Sequence, residues 1–360
     1  MKRISLFGAA VALLTAVIAA GSGVALYRFF STDSSMIGKE EDKLSGYSSR
    51  DVNVMLTRPE GWKQIATRSL LTYEDFAGID GSTATVPITA ELARQFCGAS
   101  DDPNANPGKN YVGSFVNHNK TDVAYDNLIQ KSGNEICWFN GETDIVTRRP
   151  VGLVIATPPS ADENNTAQRL GVTLETEPVA LDGFVFITHK DNPVDSLTVQ
   201  QIKDIYSGRI TNWKEVGGRD EKIRPFQRTK NSGSQTAMEE LVMQGEPLTD
   251  APKVFVAQGM GELIDRVAEY ENETAAIGYT YEYYINNLDK SPDIKVLRVE
   301  GVAPGNESFA SKEYPFTTAY YAVIRADEPQ DSVYRKVRDY LLTDEGQEII
   351  RLAGYCPVKG

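Results

Sequence analysis

The chain has 360 residues, 41% of them hydrophobic and 24% charged, with a formal net charge of −13. That length and apolar content support two globular domains with packed cores and argue against general disorder. The acidic balance argues against nucleic acid as a partner. Two histidines and three cysteines leave little material for a His/Cys metal site, so no metal and no cofactor is expected.

Lys2 and Arg3 precede an apolar run over residues 4–26, the layout of an export signal. At roughly twenty residues the run is long enough to span a bilayer. Residues 1–30 are therefore expected to be an uncleaved membrane anchor, although small residues at 19–23 also allow cleavage as a signal peptide. Residues 31–50 are polar and fit a tether. Export permits disulfides, for which Cys97 and Cys137 are the better pair; three buried thiols are the other reading.

In the folded part, Ile88, Leu92, Ala93 and Phe96 recur at helical spacing behind Pro87. Thr121 opens a helix carrying Ala124, Leu128 and Ile129. The run VGLVIA at 151–156 is a buried-strand pattern, ended by Pro158 and Pro159, and VALDGFVFIT at 179–188 predicts a strand that crosses between lobes. Thr198 and Gln201 form a capping box, and Ser232 with Gln235 predicts another. Strands are expected over 275–283 and 316–324, with helices over 332–342 and 344–353. Alternating strands and helices predict an α/β fold with ligands at strand-to-helix loops.

Two segments place hydroxyls where a helix begins: Ser82, Thr83, Ala84 and Thr85 after Gly81, and Ser232, Gly233 and Ser234 four residues beyond Arg228. Free N–H groups at a helix start, the positive end of its dipole and a guanidinium fork suit a small oxyanion. Ordinary N-capping also accounts for each hydroxyl taken alone. His118 is read as a solvated loop histidine, and Arg148 with Arg149 as a surface turn. A hydrolase would need a nucleophile beside a base, and the folded region has no G-x-S-x-G elbow. Binding without catalysis is the reading.

The block TVQQIKDIYSGRITNWKEVGG at 198–218, followed by QRTKNSGSQT at 227–236, closely resembles the phosphate ABC-transporter substrate-binding proteins, a periplasmic-binding-protein family. DGSTATVP at 80–87, AIGY at 276–279 and GYCP at 354–357 extend the likeness from about residue 79 to the end. The resemblance implies a two-lobe, type II fold with a hinge: lobe 1 over 51–187 plus 318–360, lobe 2 over 188–317. It implies inorganic phosphate, or a similar oxyanion, as ligand and an ABC permease as partner of an extracytoplasmic monomer. Arg228, Ser232, Gly233 and Ser234 match the second-lobe ligands, and Thr85 with Ala84 matches the first loop, where Ser82 and Thr83 are alternatives. Thr121 matches a further hydroxyl ligand. Phosphate-specific members also place a first-lobe aspartate that accepts the proton on phosphate. Here the chain has Ala156-Thr157-Pro158-Pro159-Ser160, next to an insertion at 141–150, which leaves Asp80 or Asp122 as replacements. An anchored phosphate sensor or surface interaction protein on the same fold is the other functional reading.

Overall fold

The run VALDGFVFIT lies inside a 16-residue strand, β5, on which the rest of the central sheet is hung. The computed structural model describes residues 56, 58, 60–102, 111–139, 144–250, 255–269, 275–288 and 291–359. In chain order it has β1 (Ile79–Gly81), α1 (Val86–Cys97), α2 (Thr121–Gln130), the hairpin β2 (Gly133–Phe139) and β3 (Asp144–Pro150), β4 (Leu153–Ala156), α3 (Ala161–Arg169) and β5 (Leu174–His189). Then come β6 (Ser196–Leu197), α4 (Val199–Tyr206), β7 (Arg224–Pro225), β8 (Gln227–Arg228), α5 (Gly233–Ala237), β9 (Val256–Ala257), α6 (Met260–Ala268) and β10 (Ala276–Tyr281). The chain closes with β11 (Ile294–Val296), β12 (Arg298–Val299), α7 (Asn306–Ala310), β13 (Thr317–Arg325), α8 (Val333–Leu341), α9 (Asp344–Leu352) and β14 (Cys356–Pro357).

The eight-stranded sheet runs β1-β4-β13-β5-β10-β7, with β11 and β14 also paired to β5. Residues 174–183 of β5 pair with β13, whereas residues 184–188 pair with β10. One strand therefore serves two groups of elements, and its second half is buried throughout, as expected when helices cover both faces. On one side Ala124, Tyr125, Leu128 and Ile129 of α2 pack on Val154, Ala156 and Val323. On the other, Phe184, Phe186, Tyr206 and Tyr279 form an aromatic cluster.

Capping explains where several helices begin. Thr198 Oγ1 accepts the Gln201 amide at 3.0 Å, and Gln201 Oε1 accepts the Thr198 amide at 2.9 Å. The second predicted box is only half made. Ser232 Oγ accepts the Gln235 amide at 3.3 Å, but Gln235 Oε1 takes the Arg228 amide and the Tyr279 hydroxyl instead. A buried phenol and a buried strand N–H outcompete a solvent-side amide because each must find an acceptor. Residues 141–150, read from sequence as an insertion, end in β3 of the hairpin. Arg148 pairs there with Glu135, and Arg149 lies 3.4 Å from Asp75. Cys97 is a free thiol directed at the Leu71 carbonyl, not half of a disulfide. Among the described residues no helix is long and apolar enough to cross a membrane. The predicted anchor and tether, residues 1–50, lie outside the described residues.

Where β5 changes partners, Asp182 is 2% exposed and accepts Gly183 N, Tyr283 N and the Tyr320 hydroxyl. Burial outweighs these donors and raises its pKa to about 7. A carboxyl that holds its proton more tightly when folded stabilises the fold at acid pH. That contribution fades as pH climbs from the unfolded value of about 4 through 7. Between pH 5 and 8 the native protein should lose roughly 2–3 kcal/mol more stability than Asp182→Asn in urea unfolding. Parallel pH profiles for the two proteins would contradict this.

Candidate functional site

Eight of the nine residues predicted to hold a ligand line one cavity of about 240 Å³: Ser82, Thr83, Ala84, Thr121, Arg228, Ser232, Gly233 and Ser234. Two strand-to-helix connections and one further helix start supply them. β1 leads into a 3-10 turn, Thr83–Thr85, and then α1; β8 leads into α5; and the approach to α2 supplies Thr121. The sequence reading named Asp122 only as a replacement aspartate and did not place Lys120, Thr157, Lys230, Gln258 or Tyr281 at the site, yet all six share the lining. Thr157 had a usable signal, since it follows a buried strand in an α/β pattern, where ligand loops are expected. Gln258 had none, because the two-residue strand before it is too short to show a period.

Thr85 is the exception. It is fully buried, and its hydroxyl is spent on the Ile155 and Ser82 carbonyls. It braces the loop from behind and does not face the cavity. His118 does the same work, contrary to its reading as a solvated residue: it is 2% exposed beneath the loop. Its Nδ1 lies 2.7 Å from the Ser82 carbonyl and its Nε2 2.9 Å from Thr89 Oγ1. A carbonyl only accepts, so Nδ1 carries the hydrogen and Nε2 receives the Thr89 hydroxyl. Burial lowers its pKa and keeps the ring neutral. From the opposite end of the chain, Tyr355 donates its hydroxyl to the Ala84 carbonyl and stacks on Tyr283 at 3.9 Å.

Arg228 is the centre of the site. It is 8% exposed, and its guanidinium donates to the Ala257 carbonyl (3.2 Å), Ser234 Oγ (3.1 Å) and the Gln258 carbonyl (3.2 Å). A guanidinium has more N–H groups than these three bonds use. Burial pulls its pKa down, yet it remains cationic. Among the described residues no carboxylate forms an ion pair with it. A buried cation with no carboxylate in contact is costly, and Glu262 acts on it only from beyond ion-pair distance, so the cavity beside it favours an anion.

The other walls are set up for the same chemistry. A Cβ on Gly233 would sit 2.4 Å from Thr157 Oγ1 and 2.9 Å from Thr121 Oγ1, so glycine keeps the space between these hydroxyls open. Thr157 is 2% exposed, and its Oγ1, beside the Tyr281 hydroxyl, makes no hydrogen bond of good geometry among the described residues. The opening of α2 has no side-chain cap, which leaves its first N–H groups for a ligand. The start of α6 differs: Glu262 already accepts the Gln258 and Gly259 amides. Lys120, the residue before α2, has φ 71° and ψ 163°, a region essentially reserved for glycine that costs on the order of 1–3 kcal/mol.

Of the two candidate replacements for a first-lobe aspartate, Asp122 reaches the cavity and Asp80 does not. Asp80 is buried outside the cavity, where it accepts the Gly81 and Asn119 amides and the side-chain amides of Asn119, Asn127 and Asn134. Asp122 does line the cavity, from the first turn of α2. At the rim Lys230 pairs with Asp162 of α3 at 2.6 Å, and Asn231 donates to the same carboxylate.

The phosphate-binding protein PstS of Borreliella burgdorferi is 25% identical to this chain over 185 residues, 50% of this chain and 64% of the relative. PstS of Bacillus subtilis is 26% identical over 181 residues, again 50% of this chain and 56% of the relative. The matched stretch thus spans less than two thirds of these relatives' own length. Among solved structures, one from Clostridium perfringens, assigned as a phosphate ABC transporter substrate-binding protein and holding phosphate, is 27% identical. It has a TM-score of 0.57 and covers 78% of this chain and 98% of its own. The family model described as the PBP superfamily domain matches residues 151–345. More than half of the chain falls within that match, and the chain belongs to the PBP superfamily.

Proposed function

We propose that this protein is an extracytoplasmic solute-binding protein that captures inorganic phosphate, or a similar oxyanion, and delivers it to an ABC permease. The observation that carries this reading is the buried, unpaired Arg228 beside a cavity lined with hydroxyls. Relatives named for phosphate binding, and a similar structure holding phosphate, support the same ligand. Members of this kind bind without catalysis.

In this reading the chain forms two lobes, 51–187 plus 318–360 and 188–317, with β5 as one of the connections. Arg228, Ser232, Gly233 and Ser234 take the ion first. Closure then brings Ser82, Thr83, the Ala84 backbone, Thr121 and Thr157 onto the remaining oxygens and excludes water. Residues 1–30 hold the protein at the membrane, and reopening on the permease releases the ion. With a net charge of −13, capture relies on these local groups and not on the field of the whole protein.

A thermal-shift panel of phosphate, sulfate, molybdate and phosphonates tests the reading. At a thousandfold excess over Kd, phosphate should add about 4 kcal/mol. At ~2 °C per kcal/mol for a chain of this size, that is a rise of roughly 8 °C. No shift with any oxyanion would refute a solute-binding role for the cavity.

A further inference from the structure

Two walls of the cavity are tied to each other by a buried carboxylate that never reaches the cavity. One wall is the Ser82–Ala84 loop after β1, the other the start of α2 at Thr121. Asp80 stands just before the first, and Asn119 just before the second. Asp80 is fully buried. Its Oδ1 accepts the Gly81 amide at 2.7 Å and the Asn119 amide at 2.8 Å. Its Oδ2 accepts the side-chain amides of Asn119 (2.8 Å), Asn127 (3.0 Å) and Asn134 (3.1 Å). These donors come from β1, the approach to α2, α2 itself and the start of β2. A carboxylate has about four lone-pair sites, so the five N–H groups use its accepting capacity in full.

Close packing leaves this junction little play. A Cβ on Gly81 would sit 2.3 Å from the Ile155 carbonyl and 2.7 Å from His118 Cε1. His118 Nδ1 donates to the Ser82 carbonyl at 2.7 Å, so residues 118 and 119 grip residues 80–82 at consecutive positions. Lys120 follows at once. Its strained φ of 71° is the turn by which the chain leaves a pinned Asn119 and still enters α2 with Thr121 on the cavity.

We propose that Asp80 is a positioning residue for the anion site: it holds the Ser82–Ala84 loop and the Thr121 helix start in one register, so that both present donors to the same ion. This rests on the oxyanion-binding reading and adds the residue that keeps two of the walls aligned. A preorganised site needs its groups held within about 0.5 Å of their places. Only a carboxylate presents acceptors to all of these donors, since an asparagine would set one NH₂ group against others.

Asp80→Asn keeps the size of the side chain and turns one acceptor into a donor. Calorimetry and stopped-flow binding of inorganic phosphate, below the melting transition of each protein, compare it with the native chain. Kd should rise about ten- to hundredfold. The loss should appear as faster dissociation, with association within about threefold because Arg228 is unchanged. A residue that only stabilised the fold would lower the melting temperature and leave Kd where it was. Adding Asn127→Asp puts an acceptor opposite the new donor and should recover about tenfold of the lost affinity. Where Asp80→Asn does not fold, Asn127→Ala removes a single donor and should raise Kd about threefold or more. Native affinity in Asp80→Asn overturns the positioning role, as does native affinity in Asn127→Ala where the first variant is unfolded. A double variant no tighter than Asp80→Asn overturns it too. If the native protein binds no phosphate, the oxyanion reading itself falls and takes this role with it.

Discussion

Arg228→Ala is expected to raise the Kd for phosphate by about 10²–10⁴-fold while the protein still folds. The guanidinium has donors left after its bonds to Ala257, Ser234 and Gln258. Two charge-assisted bonds to an anion, at about 1.5–3 kcal/mol each, give a loss of that size. The fold should tolerate the change because two effects oppose each other. Removing a buried cation without a carboxylate partner relieves a desolvation cost, while the Ala257 and Gln258 carbonyls lose their donor. Arg228→Lys should recover part of the affinity at best, since a point charge cannot reproduce the fork. Calorimetric affinities within tenfold of the native protein would show that the anion, if bound, sits elsewhere.

Gly233→Ala is the second large effect and isolates geometry from charge. The added methyl would come within 2.4 Å of Thr157 Oγ1 and 2.9 Å of Thr121 Oγ1, closer than atoms of these kinds pack. Both threonines are buried and line the cavity, so the methyl and any displaced hydroxyl take up cavity space. Alanine is a better helix residue than glycine by about 1 kcal/mol, which offsets much of the crowding in overall stability. The expected outcome is a nearly native melting temperature with phosphate affinity lowered by about a hundredfold or more, the equivalent of two lost hydrogen bonds. Retention of native affinity would mean that the space between the two threonines is not where the ion lies.

The elements read correctly from sequence are those with a local cause. Thr198 and Gln201 specify their capping box within four residues, and the apolar run at 153–156 could only be buried. Ser82 to Ala84, with Ser232 to Ser234, stand out because hydroxyls at helix starts are a short-range pattern, and the fold brings them to one cavity. Where the reading failed, a distant partner was responsible. Gln235 was drawn from its box by Tyr279, and Thr85 was turned inward by the Ile155 carbonyl. His118 was buried by a loop more than thirty residues earlier in the chain.

By itself, the sequence determined the α/β character, the positions of the main helices and strands, and the hydroxyl-rich chemistry of two helix starts. These depend on spacing and capping within a few residues. Only the tertiary structure decided which hydroxyls face the cavity, that Arg228 is buried with no carboxylate in contact, and that Thr157, Lys120 and Gln258 share its walls. Burial and convergence arise when segments far apart in the chain pack together, and no local pattern records which neighbours they will meet.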